Sequence, residues 1–278
     1  MKFDSLLFGT AGIPLSTAPS NTVNGVKHVR ALGLDAMELE FVRSVNVSEE
    51  LAPQVKRTAQ EGSVALTCHA SYFINLNSSE KKKREASKKR ILDAARRAWE
   101  CGAFSVCFHA AFYQKQEPGK VYSAVKDSLQ EIVSVLRAEK NEIWVRPETT
   151  GKRSQFGSLE ELVELSSELD GVLPCIDFSH LHARSAGKMN SAEEFRSALE
   201  LVEKKLGKNA LKEMHCHVSG IAYSDKGEKH HLNLEESDLK YRELLRALKE
   251  FGCKGVVISE SPNIEGDALL LKKEFSGL

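Results

Sequence analysis

The chain has 278 residues, longer than the commonest domain but within the range where an α/β barrel forms one domain, so residues 1–278 are expected to fold as a single unit. Its 39 Lys plus Arg balance 39 Asp plus Glu, which excludes a global positive field drawing it onto nucleic acid or an anionic membrane; any polyanion site must be local. Cysteines 68, 101, 107, 175, 216 and 253 contain no CxxC pair, the start MKFDSLLFGT has too short an apolar stretch for a secretory signal, and no apolar run approaches the roughly 18 residues of a membrane span, so a soluble, cytoplasmic chain with reduced thiols is expected.

In chain order, short β-rich apolar runs alternate with longer stretches of helical periodicity rich in Lys and Glu. The strands are expected at Leu6 to Thr10, Ala36 to Phe41, Val64 to Ala70, Ser105 to Ala110, Ile143 to Glu148, Leu173 to Phe178, Glu213 to Val218 and Gly255 to Glu260. Helices are expected over Glu80 to Glu100, with Ser78 and Ser79 as caps, and over Leu159 to Leu169, Ala192 to Leu206 and Glu236 to Glu250. Eight βα units suit either an open doubly wound sheet or a (β/α)8 TIM barrel, and the polar residues decide between them. Strand after strand ends in a metal-competent side chain: His69, His109, Glu148, Asp177 followed by His180, His217 and Glu260. Only a closed barrel brings every strand end to one mouth.

The runs LTCHA, VCFHA, VRPETT, CIDFSH, MHCHVSG, KHHLNL and ISESP supply imidazole and carboxylate in the mixture that suits zinc or manganese. A catalytic zinc takes about three protein ligands, so this set is too large for one ion and fits two or three, with Glu148 on a middle strand as the candidate bridge. Taken singly, a histidine near a strand end is more often hydrogen-bonded structure than a ligand; the joint pattern carries the signal. Cys68, Cys107 and Cys216 flank proposed ligands and are expected to face the helices by strand alternation. Tyr72, Phe73, Phe112 and Tyr113 could stack on a base or on an abasic gap, or simply pack loops. The run Lys81-Lys82-Lys83-Arg84 with Lys88, Lys89 and Arg90 reads as a solvated helix face, whereas Arg43, Lys152, Arg153 and Arg184 follow strands and are better placed for a phosphodiester backbone.

HASYFINLN from His69, FHAAFY around His109, PETTG at Glu148, DFSH from Asp177, HVSG from His217, KHHLNL and SESP at Glu260 make the chain resemble, nearly end to end, the endonuclease IV family of xylose-isomerase-like barrels. The resemblance implies three Zn2+ ions at the mouth. His69, His109 and Glu148 would surround the first; Glu148 would bridge to a second completed by Asp177, His217 and Glu260; His180 and His231 would hold the third. It implies that Tyr72 contacts DNA, that the partner is double-stranded DNA containing an abasic site, and that metal-activated water cuts 5′ to that site in base excision repair, the protein acting as a monomer. Three departures stand out. Lys229 occupies the position where the family has the third ion's acidic ligand, leaving Glu228 or Asp225 to substitute and His230 as an alternative to His231. GKRSQFGS follows Glu148 where the family has an Ala-Gly-Gln-Gly-like loop, and GIPLST follows the first strand. The rival reading is a sugar isomerase or epimerase with one Mn2+ or Mg2+ on Glu148, Asp177, His217 and Glu260, and a third is a module that binds damaged DNA without cutting it.

Overall fold

The computed structural model describes residues 3–278. The eight apolar runs become eight parallel strands, Leu6–Ala11, Ala36–Glu40, Ala65–His69, Ser105–Phe108, Trp144–Pro147, Cys175–Asp177, Met214–Val218 and Gly255–Ser259, called here the first to the eighth. Neighbours in sequence pair in parallel, and the eighth returns to the first with Gly255 opposite Leu6. The seam between the fifth and sixth strands is crossed by the bridges Val145–Val172 and Glu148–Cys175, which rounds the sheet into the expected (β/α)8 barrel. No helix among the described residues is long and apolar enough to cross a membrane.

Alternation sorts the strand residues into two environments. Met37, Leu39, Leu66, Cys68, Val106, Phe108, Cys216 and Val257 face outward into the main core against the helices. The inward side chains stack in layers. An apolar floor of Ala36, Ala65, Phe104 and Val256 lies lowest, a buried polar layer sits above it, and the strand-end residues form the mouth.

Local signals explain the helix boundaries. Ser158 and Ser191 each form a reciprocal capping box with Glu161 and Glu194, starting helices Leu159–Glu168 and Ala192–Leu206 as expected. The long basic helix runs Lys81–Glu100, but Ser78 and Ser79 do not cap it. Ser78 Oγ instead accepts from Glu80 N, and Arg84 donates to the carbonyls of both serines, so they build the turn before the helix. The last expected helix starts later, at Tyr241–Glu250. Asn233 and Glu236 close a separate single turn over Leu234–Glu236, and Asp238 is drawn away by His182 and Tyr223.

Candidate metal centre

Asp177 ends the sixth strand and its carboxylate accepts from His180 N at 2.8 Å, capping helix Phe178–Arg184. That turn is the physical content of the Asp-x-x-His spacing: the cap swings His180 back over the strand end. His180 Nδ1 then lies 3.1 Å from Asp177 Oδ2 and 3.2 Å from Glu148 Oε1. Glu148 receives three further imidazoles, with His69 Nε2 at 3.1 Å, His109 Nε2 at 3.4 Å and His217 Nδ1 at 3.3 Å; the last is also 3.4 Å from Glu260 Oε2. His231 Nδ1 sits 3.1 Å from the Glu260 carbonyl. All eight donors expected at the mouth therefore converge. Donor atoms fall into overlapping groups that could each hold an ion: His69, Cys107 and Glu148; His109, Glu148 and His180; Asp177, His180 and His231; and Glu148, Asp177, His217 and Glu260.

Burial of so many ionisable groups sets them against each other. Burial alone would raise the Glu148 carboxyl, but the charges of His109 and His217 hold it well below its ordinary value. Glu260 is likewise brought down to about 2, burial being outweighed by His217. His69 rises to about 10, despite burial, through its hydrogen bond to Glu148. Burial raises Asp177 to about 6. Asp177 Oδ2 and Glu260 Oε2 are buried without a hydrogen-bond partner. Buried lone pairs with no donor, set among imidazoles, are what a divalent cation would satisfy, so the residues present fit such an ion.

The hairpin Gly220–Ser224 with Gly227–Leu232 bears on the missing acid. His231 pairs with Ile221 and His230 with Ala222, but Tyr223 pairs with Glu228, so Lys229 is the extra residue of a bulge. Skipping one residue carries Glu228 to the inward face that position 229 would occupy in a regular strand. Glu228 Oε2 accordingly lies 3.6 Å from His180 Nε2, and the His180 and His231 rings are 5.6 Å apart. His230 and Asp225 are exposed, which leaves His231 and Glu228 as the inward pair.

Three expectations on nearby residues need correcting or refining. Cys107 does not face the helices: it is two residues before His109, hence on the same side of the strand, and its Sγ lies 3.5 Å from Glu38 Oε2 inside the barrel. Arg184 holds its own loop together through one end of its guanidinium, Nη1 donating to Thr150 Oγ1 and to the carbonyls of Lys152 and Gln155. Tyr113 is a packing residue, with its hydroxyl on Glu161 and its ring against Phe156. Tyr72 stands on the rim with its ring 5.5 Å from His69, and Tyr72 and Phe73 are 61% and 65% exposed. Lys83, Lys88 and Lys89 pair with acids on the outer helices, as a solvated face should.

Sequence reasoning missed a second layer: Glu38, Thr67, Cys107, Cys175 and His215, all buried inside the barrel. The available signal was spacing, since Thr67, Cys107, Cys175 and His215 each lie two residues before a mouth donor, and Glu38 lies two before Glu40, whose carboxyl burial raises to about 8. A cavity of about 720 Å³ lies at the opposite end, lined by Phe3, Leu7, Trp99, Phe104 and Trp144. It holds no comparable set of donors.

The family described as xylose isomerase-like TIM barrel matches residues 26–276. An uncharacterised protein of Methanocaldococcus jannaschii is 44% identical over 98% of both chains. A protein named probable endonuclease 4 of Persephonella marina is 28% identical, covering 70% of this chain and 68% of its own. Among solved structures, a D-tagatose 3-epimerase-like protein superposes with TM-score 0.74 at 22% identity, covering 96% of this chain and 97% of that one. Endonuclease IV of Thermus thermophilus gives 0.72 at 18%, covering 97% and 100%. At these identities the structures speak to the fold alone.

Proposed function

Since the chain belongs to the xylose isomerase-like TIM barrel family, we propose that it is a zinc-dependent phosphodiester hydrolase incising duplex DNA 5′ to abasic sites. One observation carries the reading: four overlapping donor groups share the mouth, with Glu148 in three of them and His180 in two. A sugar site built on one ion has no use for His69, His109, His180, His231 and Glu228. In this reading His69, His109 and Glu148 hold the first ion, Glu148 with Asp177, His217 and Glu260 the second, and His180, His231 and Glu228 the third. Bound there, the ions would supply a water acidic enough to deprotonate near neutral pH and would stabilise the attacking and leaving oxygens. The exposed Tyr72 would pack against the gap in the duplex. The relative named endonuclease 4 supports this choice of substrate.

A second reading has its own observation. Glu148, Asp177, His217 and Glu260 bring four donor atoms within 4.8 Å of one another, enough for one Mn2+ or Mg2+ serving sugar epimerisation. The two separate in one experiment: metal content of the purified protein, with incision of an abasic-site duplex before and after chelation. Two or three zinc ions per chain at the mouth and chelator-sensitive incision would support hydrolysis. One manganese or magnesium with no incision would replace it by epimerisation.

A further inference from the structure

Beneath the mouth, Cys107, Cys175, His215 and His217 bring two thiols and two imidazoles within 4.8 Å of one another, all four buried. Nothing in the hydrolytic reading uses the first three. His215 Nε2 and His217 Nε2 are 3.2 Å apart, and Cys107 Sγ is 3.8 Å from His217 Nε2. A tetrahedral zinc with Zn–N of about 2.05 Å and Zn–S of about 2.3 Å separates two nitrogens by about 3.3 Å and a nitrogen from a sulfur by about 3.6 Å. The donor spacing is that of a coordination shell.

Glu38 adds a second, independent observation. Its Oε1 lies 2.9 Å from His217 Nε2 yet completes no hydrogen bond, and it is fully buried. Its Oε2 lies 2.9 Å from His215 Nε2, so both proposed ligand nitrogens face this carboxylate as well as each other. Charge also balances in this layer. Two thiolates and the Glu38 carboxylate would be matched by one divalent cation and Arg146, whose guanidinium is buried beside them on the carbonyls of Pro174 and Glu213.

We propose that Cys107, Cys175, His215 and the Nε2 of His217 form an interior site for a zinc-class ion, beneath and distinct from the mouth. Such Cys2His2 shells are closed structural sites, and this one would lock the fourth, sixth and seventh strands together at mid-barrel. His217 presents its Nδ1 to Glu148 and Glu260 and its Nε2 to the interior, so the ring would link the two levels.

Cys107 also lies within reach of His69 and Glu148 at the mouth, so Cys175, which belongs to the interior group alone, gives the test its selectivity. The reduced full-length protein is produced in cobalt-supplemented medium, so that the buried site loads during folding, and its near-ultraviolet spectrum and metal content are recorded. Thiolate-to-cobalt charge-transfer absorption is expected in the wild type. Cys175→Ser alone should lower the content by one ion per chain, and a folded Cys175→Ser that keeps its full content would overturn the site. Its combination with Cys107→Ser should abolish the absorption, while Cys216→Ser, whose thiol faces the helices, should leave both content and absorption unchanged. Cobalt-loaded wild type without that absorption would overturn the site, and this holds even if the double variant does not fold. Absorption that persists in a folded double variant, or vanishes in Cys216→Ser, would overturn it equally.

Discussion

Glu148 is the side chain on which the mouth depends, because four imidazoles approach its two oxygens and no other carboxylate among the described residues is within reach of so many. Glu148→Gln keeps the shape and removes the charge. It should lower the metal content by more than one ion and slow incision by about a hundredfold or more; full metal content with full activity would remove the bridging role. Tyr72→Ala acts on the other side of the chemistry. Its ring is exposed on the rim and holds none of the buried donors, so metal content should be unchanged, while duplex affinity falls by about 1–3 kcal/mol, the usual worth of a stacked ring. A titration showing unaltered affinity would return Tyr72 to simple loop packing. At this scale the mouth was legible because its donors sit at strand ends, where a polar residue interrupts an apolar run. Glu38, Cys107, Cys175 and His215 were overlooked, because a lone polar residue or thiol inside an apolar strand run looks like ordinary core until its spacing from the strand-end donor is counted. Reading each strand two residues back from its terminal donor would have found the layer.

The hairpin that follows the seventh strand shows how one element can change which residue its strand turns inward. Lys229 stands where an acid was expected, and strict alternation would have turned Glu228 outward. The bulge between Ala222 and Tyr223 instead turns Glu228 inward. Gly151 makes room for it: a Cβ there would lie 2.6 Å from Glu228 Cβ and 2.7 Å from its Oε2. Deleting Lys229 should therefore be tolerated with metal content unchanged, since the residue is unpaired and Glu228 keeps its place opposite Tyr223. Glu228→Gln and Gly151→Ala should each lower the content by one ion, the second by displacing the carboxylate. Elemental analysis of the three variants checks this, and a deletion variant that loses an ion would show that Lys229 itself sets the geometry. Bulges escape sequence reading because they depend on the partner strand. The helix starts at Ser158 and Ser191, by contrast, were plain in the local sequence.

On the scale of the whole barrel, closure is uneven. Seven of the strand neighbours share continuous ladders, whereas the fifth and sixth strands meet through the bridges Val145–Val172 and Glu148–Cys175. The eightfold repeat of apolar runs made the barrel legible, but it could not reveal which seam would be sparse, because hydrogen-bond register is a property of pairs. The proposed ligands lie on both sides of that seam: Glu148 follows the fifth strand, and Asp177 ends the sixth. Ions shared between them would act as a clasp where backbone hydrogen bonds are fewest. An ion present at 100 to 1,000 times its dissociation constant stabilises the folded state by about 3–4 kcal/mol, and a chain of this size melts roughly 2–4 °C lower for each kcal/mol lost. Stripping even one such ion should thus lower the melting temperature by roughly 6–16 °C, and hydrogen exchange should accelerate first in residues 145–149 and 172–177. Loss of the ions with no change in melting would mean that the seam is held by packing alone. Acceleration spread evenly over all eight strands would mean that the ions stabilise the barrel without acting at its seam.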